Sequence, residues 1–112
     1  MELARRIVDE MANKKGDDIL LLDISDVTVL ADYFVIGTTV SKRQTKAMVD
    51  GIVQATKDDF DIRPWRVEGE AESGWILMDY GDVVVHLFAP EARAYYDLEG
   101  FWKEARVVVR ML

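Results

Sequence analysis

The sequence predicts an α/β fold of the α+β-like kind, in which helices pack on one mixed five-stranded sheet. Three observations predict it. Apolar residues recur at helical spacing in two long segments, several short runs are almost continuously apolar, and the longest apolar stretch is divided by a Gly-Asp turn. Short runs that are apolar throughout are typical of strands with both faces covered. The predicted order is α-β-β-α-β-β-β-α, in a single domain over residues 1–112.

The chain is predicted to begin with a helix and two strands. Apolar residues at helical spacing run from Leu3 to Met11, and Gly16 follows two lysines at the expected helix end. Asp18–Ile24 and Asp32–Thr38 are almost continuously apolar, which predicts two buried strands. We expect the first helix to cover the sheet that these strands begin.

The second helix has the strongest start signal in the chain. Ser41 is followed three residues later by Gln44, which forms an S-x-x-Q capping box. The helix is predicted to run from about Lys42 to Asp58. Aspartates at positions 58, 59 and 61 are unfavourable near the negative end of the helix dipole, so we expect the helix to stop before them.

The next segment is predicted to contain a third strand and a hairpin. Pro64–Val67 is the strand, because proline suits an edge or entry position, and Glu68–Gly74 is an acidic loop. Trp75–Met78 and Val83–Phe88 are rich in β-branched and aromatic residues and flank Gly81-Asp82. That pattern is typical of a tight hairpin.

A third helix is predicted to begin at Pro90, because proline is favoured at the first helical position. Its side chains expected to face inward are Ala94, Tyr95, Leu98 and Trp102. The tail over residues 105–112 fits either a helix or a strand, since a short apolar run alone does not separate the two.

The composition excludes several classes of function. The 112 residues carry a net charge of −7, with no cysteine and one histidine, which excludes disulfides, thiolate zinc sites and multi-histidine metal sites. No apolar run approaches the roughly 18 residues that span a bilayer, and the acidic N-terminal segment resembles no signal or transit peptide. A cytoplasmic protein without a cofactor is predicted. An acidic domain suits a basic protein partner better than nucleic-acid phosphates.

Three features are candidates for a chemical site. Gly37–Ser41 leads from a strand into a helix N-terminus, which can hold an anion, although an ordinary turn has the same pattern. Asp79 and Asp82 offer two carboxylates for a divalent cation, but aspartate is also common in turns. His86 has no partner fixed by the sequence, so we interpret it as a hydrogen-bonded strand histidine rather than a general base.

The acidic residues around Trp75 form a further candidate site. They are Glu68, Glu70, Glu72, Asp79 and Asp82. A solvated loop would have the same composition, but aromatic residues beside charges are typical of protein-binding hot spots. Trp75 and Tyr80 together with these acids therefore predict a contact surface for another macromolecule.

Five stretches of the sequence have a distinctive composition. They are ADYFVI from Ala31, SKRQ from Ser41, RVEG from Arg66, GWILMDYGDVVVH from Gly74, and AYYDLE from Ala94. Taken together, they resemble the ribosomal silencing factor RsfS or Iojap family. The W-x-x-x-D-x-G-D-x-x-x-H run is the most specific of them. The resemblance covers the chain from the first helix to about residue 102 and leaves the tail, residues 103–112, outside it.

The resemblance implies a translational repressor that is not an enzyme. Family members bind the large ribosomal subunit through ribosomal protein fourteen, and they sterically block joining with the small subunit when nutrients are limiting. The contact residues carried over to this chain are Trp75, Leu77, Asp79 and Tyr80, with Glu70 and Asp82 beside them. Tyr80 would contact the partner from the turn.

Period-2 alternation along the first hairpin strand gives this surface its orientation. It places Trp75, Leu77 and Asp79 on one face and leaves Ile76 and Met78 for the core. If the first set forms the interface, the second set holds the strand to the helices.

The same resemblance implies a nucleotidyltransferase-like fold without a working catalytic set. Thr39 stands where many members have a glycine, two residues before Ser41, which makes a phosphate cradle less suitable. An alternative hypothesis is a metal-dependent nucleotidyltransferase that uses Asp79, Asp82 and the Gly37–Ser41 loop. A third hypothesis is a homodimer that masks the apolar hairpin surface.

Overall fold

The computed structural model describes residues 1–112 as one mixed sheet with helices on both faces. The helices are α1 (Glu2–Asn13), α2 (Lys42–Phe60), α3 (Pro90–Tyr96) and α4 (Leu98–Phe101). The strands are β1 (Asp17–Asp23), β2 (Tyr33–Thr38), β3 (Arg66–Glu70), β4 (Trp75–Asp79), β5 (Val83–Phe88) and β6 (Arg106–Met111). None of the helices combines the length and the apolar character that crossing a membrane requires.

The strands lie in the order β3-β4-β5-β2-β1-β6. Only β2 and β5 run parallel, and every other neighbouring pair is antiparallel. The predicted α+β class and mixed sheet are therefore confirmed. The predicted number of five strands is wrong, because the tail forms a sixth strand at the edge opposite β3.

The sixth strand depends on a partner that lies far away in the sequence. β6 pairs antiparallel with β1, and the side chain of Arg106 donates a hydrogen bond of 2.8 Å to Asp23, a residue 83 positions earlier. A short apolar tail has no decisive local preference. The free edge of β1 supplies the backbone hydrogen bonds that make the tail a strand.

The face of the sheet that α1 and α2 cover is called the inner face here. Side chains of Ile7 on α1 and Ile52 on α2 belong to the same buried cluster as Leu21, Val35 and Met78 on the strands, and none of the five is exposed. The helical spacing from Leu3 to Met11 therefore identified the buried apolar side of α1 correctly.

The opposite, outer face is covered only in part. Phe34, Ile36 and Phe88 on β2 and β5 are buried there, with Leu98 and Trp102 packed against them from the α3–α4 region. Beyond this cover lie β3, in which all five residues are exposed, and the outer side of β4. The β3 edge is thus the open end of the outer face.

The N-terminus of α2 is capped as predicted. The hydroxyl of Ser41 accepts a hydrogen bond from the amide of Gln44 at 3.0 Å, and the Gln44 side chain accepts from the amide of Val40 at 2.8 Å. The helix does not stop before the aspartates, however, but continues to Phe60. Asp61 ends it in the left-handed conformation and pairs with Lys57, which offsets the unfavourable charge.

Two boundaries in the second half also differ from prediction. The third strand begins at Arg66 and continues to Glu70, so part of the predicted acidic loop is strand, and only Ala71–Ser73 forms a short 3-10 turn. Pairing with β4 accounts for the strand, because acidic side chains on an edge strand remain in water.

The third helix is divided in two by Asp97. Its backbone adopts φ 46°, in the left-handed region, and its carboxylate accepts a hydrogen bond from the amide of Gly100 at 3.1 Å. The divided helix turns Ala94 and Tyr95 outward, so the expectation that they face inward is wrong. Leu98 and Trp102 do pack against the outer face.

A candidate protein-binding surface at the β3–β4 edge

Alternation along β4 separates two sets of side chains. Ile76 and Met78 are buried on the inner face, whereas Trp75, Leu77 and Asp79 are partly exposed on the outer face. The predicted alternation is therefore confirmed. It gives one five-residue strand both a core side and an accessible side.

The neighbouring strand adds charges to this accessible side. In the antiparallel register, Glu70 lies opposite Trp75, Glu68 opposite Leu77, and Arg66 opposite Asp79. Opposed residues of an antiparallel pair share one face of the sheet. The surface formed by Glu68, Glu70, Trp75 and Leu77, called the β3–β4 surface below, thus combines two apolar side chains with two carboxylates.

Trp75 is held in place by contacts beneath and beside it. Its indole N–H donates a hydrogen bond of 3.2 Å to Nδ1 of His86. The ring centroids of Tyr96 and Phe88 lie 4.5 Å and 5.1 Å from that of Trp75. Aromatic neighbours at these separations stabilise the ring, so the partly exposed Trp75 side chain is held in one position.

His86 supports Trp75 and performs no evident chemistry. It is 4% exposed, and burial lowers its pKa to about 4. Because Nδ1 accepts the Trp75 hydrogen bond, the neutral ring carries its proton on Nε2, a buried atom without a hydrogen-bond partner. The interpretation as a hydrogen-bonded strand histidine is confirmed.

Asp79 closes the hairpin. Its carboxylate accepts a hydrogen bond of 2.8 Å from the amide of Gly81 and lies 3.4 Å from the guanidinium of Arg66. Gly81 has φ 87°, a conformation that favours glycine. Asp82 is exposed, and its backbone carbonyl accepts hydrogen bonds from the amides of Asp32 and Tyr33 at 2.8 Å and 3.0 Å. The Asp79 carboxylate thus has a structural role in the turn, whereas Asp82 contributes its backbone carbonyl to the link with β2.

No group of three or more histidine, cysteine or acidic side chains is arranged to hold a metal ion.

The Gly37–Ser41 loop borders a cavity of about 310 Å³ that also reaches Trp75 and Glu91. The amide of Thr39 donates to the carbonyl of Phe88 at 2.9 Å, and the amide of Val40 donates to the Gln44 side chain at 2.8 Å. Internal acceptors thus occupy these two donors of the loop, as in an ordinary strand-to-helix turn.

Tyr80 occupies a different place from the one predicted. Its side chain is 6% exposed, and its hydroxyl lies 3.0 Å from that of Thr56 on α2. Burial raises its pKa above the usual value. Tyr80 continues the inward series of Ile76 and Met78, so it supports the hairpin from the core and presents no open ring at the turn.

The other acids of the predicted patch lie at different places around Trp75. The backbone amide of Glu70 donates to the hydroxyl of Ser73 in the 3-10 turn at 3.3 Å, and Glu72 in that turn lies 3.8 Å from Lys42. Asp82 lies by the turn, at the other end of β4 from Trp75. Glu68 and Glu70 are therefore the two acids that the sheet itself places beside the exposed apolar residues.

Two residues that sequence reasoning did not assign also shape the surface. Tyr96 packs on Trp75, and Arg93 fastens the helix that carries Tyr96. The Arg93 guanidinium is buried and donates to the carbonyl of Asp18 at 2.6 Å and the hydroxyl of Thr38 at 2.8 Å. A cation among helical alanines and tyrosines was the available signal. Glu99, which accepts from Arg93 at 3.0 Å, is near in sequence, but Asp18 and Thr38 lie more than fifty positions away.

These features define a class of protein: an acidic α+β domain that offers a rigid aromatic and acidic surface, with its histidine and aspartates in structural roles. A family model described as ribosomal silencing factor during starvation matches residues 1–111, a range that includes β6. The chain therefore belongs to the RsfS family of ribosomal silencing factors. They are non-enzymatic ribosome-binding factors that regulate translation through the large subunit.

Individual relatives agree with this assignment. The chain is 40% identical over 93 residues to ribosomal silencing factor RsfS of Bacillus subtilis, covering 83% of this chain and 78% of the relative. It is 34% identical over 107 residues to the RsfS of Halalkalibacterium halodurans, covering 96% and 91%. A crystal structure of a Chromobacterium violaceum protein is similar with a TM-score of 0.85 and 34% identity, covering 91% and 84% of the two chains.

Proposed function

We propose that this protein represses translation by binding ribosomal protein fourteen on the large ribosomal subunit, where it sterically blocks joining with the small subunit under nutrient limitation. The observation that carries the proposal is the β3–β4 surface, which the other elements leave open. The repressor is proposed to act in the cytoplasm.

The chemistry of the surface suits a basic protein partner. Trp75 and Leu77 supply apolar area, and Glu68 and Glu70 surround it with negative charge. Buried aromatic anchors contribute most of the binding energy in many interfaces. Opposite potentials raise the association rate. The net charge of −7 also opposes direct binding to RNA phosphates.

We assign the six contact residues implied by the resemblance to different tasks. Trp75, Leu77 and Glu70 are proposed to touch the partner. Asp79 and Asp82 are proposed to hold the hairpin turn in the shape that the partner recognises. Tyr80 is proposed to act from beneath the surface, through its packing in the core.

A steric block requires only that the bound protein occupy space. The molecule measures 34 × 33 × 24 Å. Two surfaces that form a specific interface pack as densely as a protein interior, so they leave no room for a body of this size between them. A rigid body of this size beside the face that meets the small subunit would therefore prevent closure. A homodimer that masks the β3–β4 surface would compete with docking, and light scattering over a range of protein concentrations would detect it.

The test follows subunit joining by light scattering. Purified large subunits are first incubated with the protein, and small subunits are then added. We expect the wild type to reduce joining in proportion to the bound fraction. Leu77→Arg, which places a cation against a basic partner, should bind and inhibit at least about tenfold less well.

Val107→Arg is the matched control. Val107 is an exposed strand residue on β6, at the opposite edge of the sheet, so this variant has the same added charge away from the proposed interface. It should inhibit like the wild type. Unhindered joining with saturating wild-type protein, or equal inhibition by Leu77→Arg, would reject the proposed function.

A further inference from the structure

A small groove lies within the β3–β4 surface. It has a volume of about 190 Å³ and is lined by Glu68, Gly69, Trp75 and Leu77. Pockets for small-molecule ligands usually enclose about 300–1,000 Å³. This groove is smaller than that and opens beside an apolar and acidic wall, so its size suits one long side chain of a docked protein.

We propose that the groove receives a single arginine side chain of the basic protein partner. This inference rests on the proposed function and specifies the chemistry that the same surface recognises. Its three parts are an aromatic wall, an aliphatic wall and a carboxylate at the rim.

The aromatic wall is Trp75. Because its only polar group, the indole N–H, donates inward to His86, the accessible part of the side chain consists of ring carbon and π surface. Such a surface attracts a cation placed over it, and a planar guanidinium also stacks on it. The packed Tyr96 ring and the hydrogen bond to His86 hold the indole in place before the partner arrives.

The other two parts match the rest of an arginine side chain. Leu77 is partly exposed and offers apolar contact to the methylene groups, which long cationic side chains bury while their charged heads remain polar. Glu68 lies opposite Leu77 and can accept paired hydrogen bonds from the planar guanidinium. Lysine lacks that fork and the planar stacking surface, so arginine is the better occupant.

Glu68 is available for such a partner. Its intramolecular contact is an ion pair with Arg66 at 3.6 Å, in which both side chains are more than half exposed. Exposed pairs of this kind contribute little stability. Arg66 also contacts Asp79 at 3.4 Å and keeps that partner when Glu68 binds an incoming guanidinium.

The test compares two variants that each remove one negative charge. Glu68→Gln alters the groove, whereas Glu72→Gln alters an exposed acid of the neighbouring 3-10 turn that lies outside it. Affinities for purified large subunits are measured by co-sedimentation. We expect Glu68→Gln to weaken binding by about tenfold, the usual scale for a charge-assisted contact, and Glu72→Gln by less than about twofold.

The identity of the occupant is tested by chemical protection. Large subunits with and without bound protein are treated with phenylglyoxal, which modifies guanidinium groups, and a parallel sample is acetylated at lysines. Mass spectrometry should find one arginine of a subunit protein protected by the wild type and by Glu72→Gln. The same arginine should react with phenylglyoxal when Glu68→Gln is bound to an equal fraction of the large subunits.

The outcomes separate the two proposals. A wild type that does not pellet with large subunits would reject the proposed function and this inference together. If the wild type binds and both variants lose the same affinity for large subunits, the proposed function stands, but the inference that the groove binds an arginine is wrong. Protection of a lysine in place of an arginine would overturn the assigned occupant.

Discussion

The two sides of β4 have different surroundings within the same five residues. Ile76 and Met78 on the inner side are buried under α2, whereas Trp75 and Leu77 on the outer side are partly exposed beside an edge strand. Neighbouring positions in this strand are therefore under different structural constraints. Inner positions are expected to control folding, and outer positions are expected to control docking.

The outer face repeats the contrast across its width. Around β2 and β5 it is covered by the α3–α4 region, but at β3 it is open to solvent. Trp75 lies at the border, with one side packed against Tyr96 and Phe88. Residues of the covered part thus hold Trp75 in position, and the exposed side of Trp75 belongs to the open part.

Truncation of one side chain on each side of β4 is expected to have the largest effects. Met78→Ala should lower the free energy of unfolding by about 2–5 kcal/mol, because it leaves a cavity in a fully buried site. Leu77→Ala should cost less stability and weaken subunit binding instead. Urea unfolding and co-sedimentation of both variants would measure this. Equal losses of stability would contradict the division between the two sides.

A second prediction concerns the support beneath Trp75. His86 stays neutral in the folded protein down to about pH 4, whereas the unfolded chain takes up a proton below its ordinary pKa of 6.5. Protons therefore favour unfolding in this window, and the stability contributed by His86 falls as the pH drops from 6.5 towards 4. At about 1.4 kcal/mol for each pH unit, the full loss is about 3 kcal/mol.

His86→Asn provides the comparison, because its side-chain oxygen can accept the Trp75 hydrogen bond without titrating. Urea unfolding at several pH values should show a shallower loss of stability for this variant than for the wild type between pH 6.5 and 4. Parallel curves for the two proteins would show that burial of His86 has no such effect. Carboxylates such as Asp23 contribute equally to both curves.

The smallest expected effect concerns Tyr80, and it distinguishes a role in stabilising the core from a direct contact with the partner. Tyr80→Phe removes the hydroxyl that meets Thr56 and should lower the free energy of unfolding by about 1 kcal/mol. Subunit affinity should remain at the wild-type value, because the ring keeps its buried position. Thermal unfolding and co-sedimentation measure the two effects. A large loss of subunit affinity without a loss of stability would instead show that the Tyr80 hydroxyl contacts the partner directly.

Local signals in the sequence predicted a large part of this architecture. The helical spacing from Leu3 to Met11, the Ser41 cap and the hairpin around Gly81 act over a few residues, and the structure contains each of them. The alternation that turns Trp75 outward is equally local. The proposed partner came from the family resemblance, because periodicity alone does not identify a partner.

The features that escaped prediction depend on distant partners. The tail becomes β6 because β1 lies beside it, and β3 extends into the acidic segment because β4 pairs with it. Tyr80 is buried because Thr56 and the inner core receive it, although its place beside a turn indicates exposure. The spacing of residues along the chain does not predict contacts between residues that lie far apart in sequence.

Trp75 is proposed to be the anchor of the docking surface, so removal of its side chain is the decisive test. Co-sedimentation with purified large subunits would compare Trp75→Ala with the wild type, after urea unfolding has established that the variant still folds cooperatively. The account predicts a loss of affinity of at least about 30-fold, the scale of a binding hot spot. Wild-type affinity in the folded variant would contradict it.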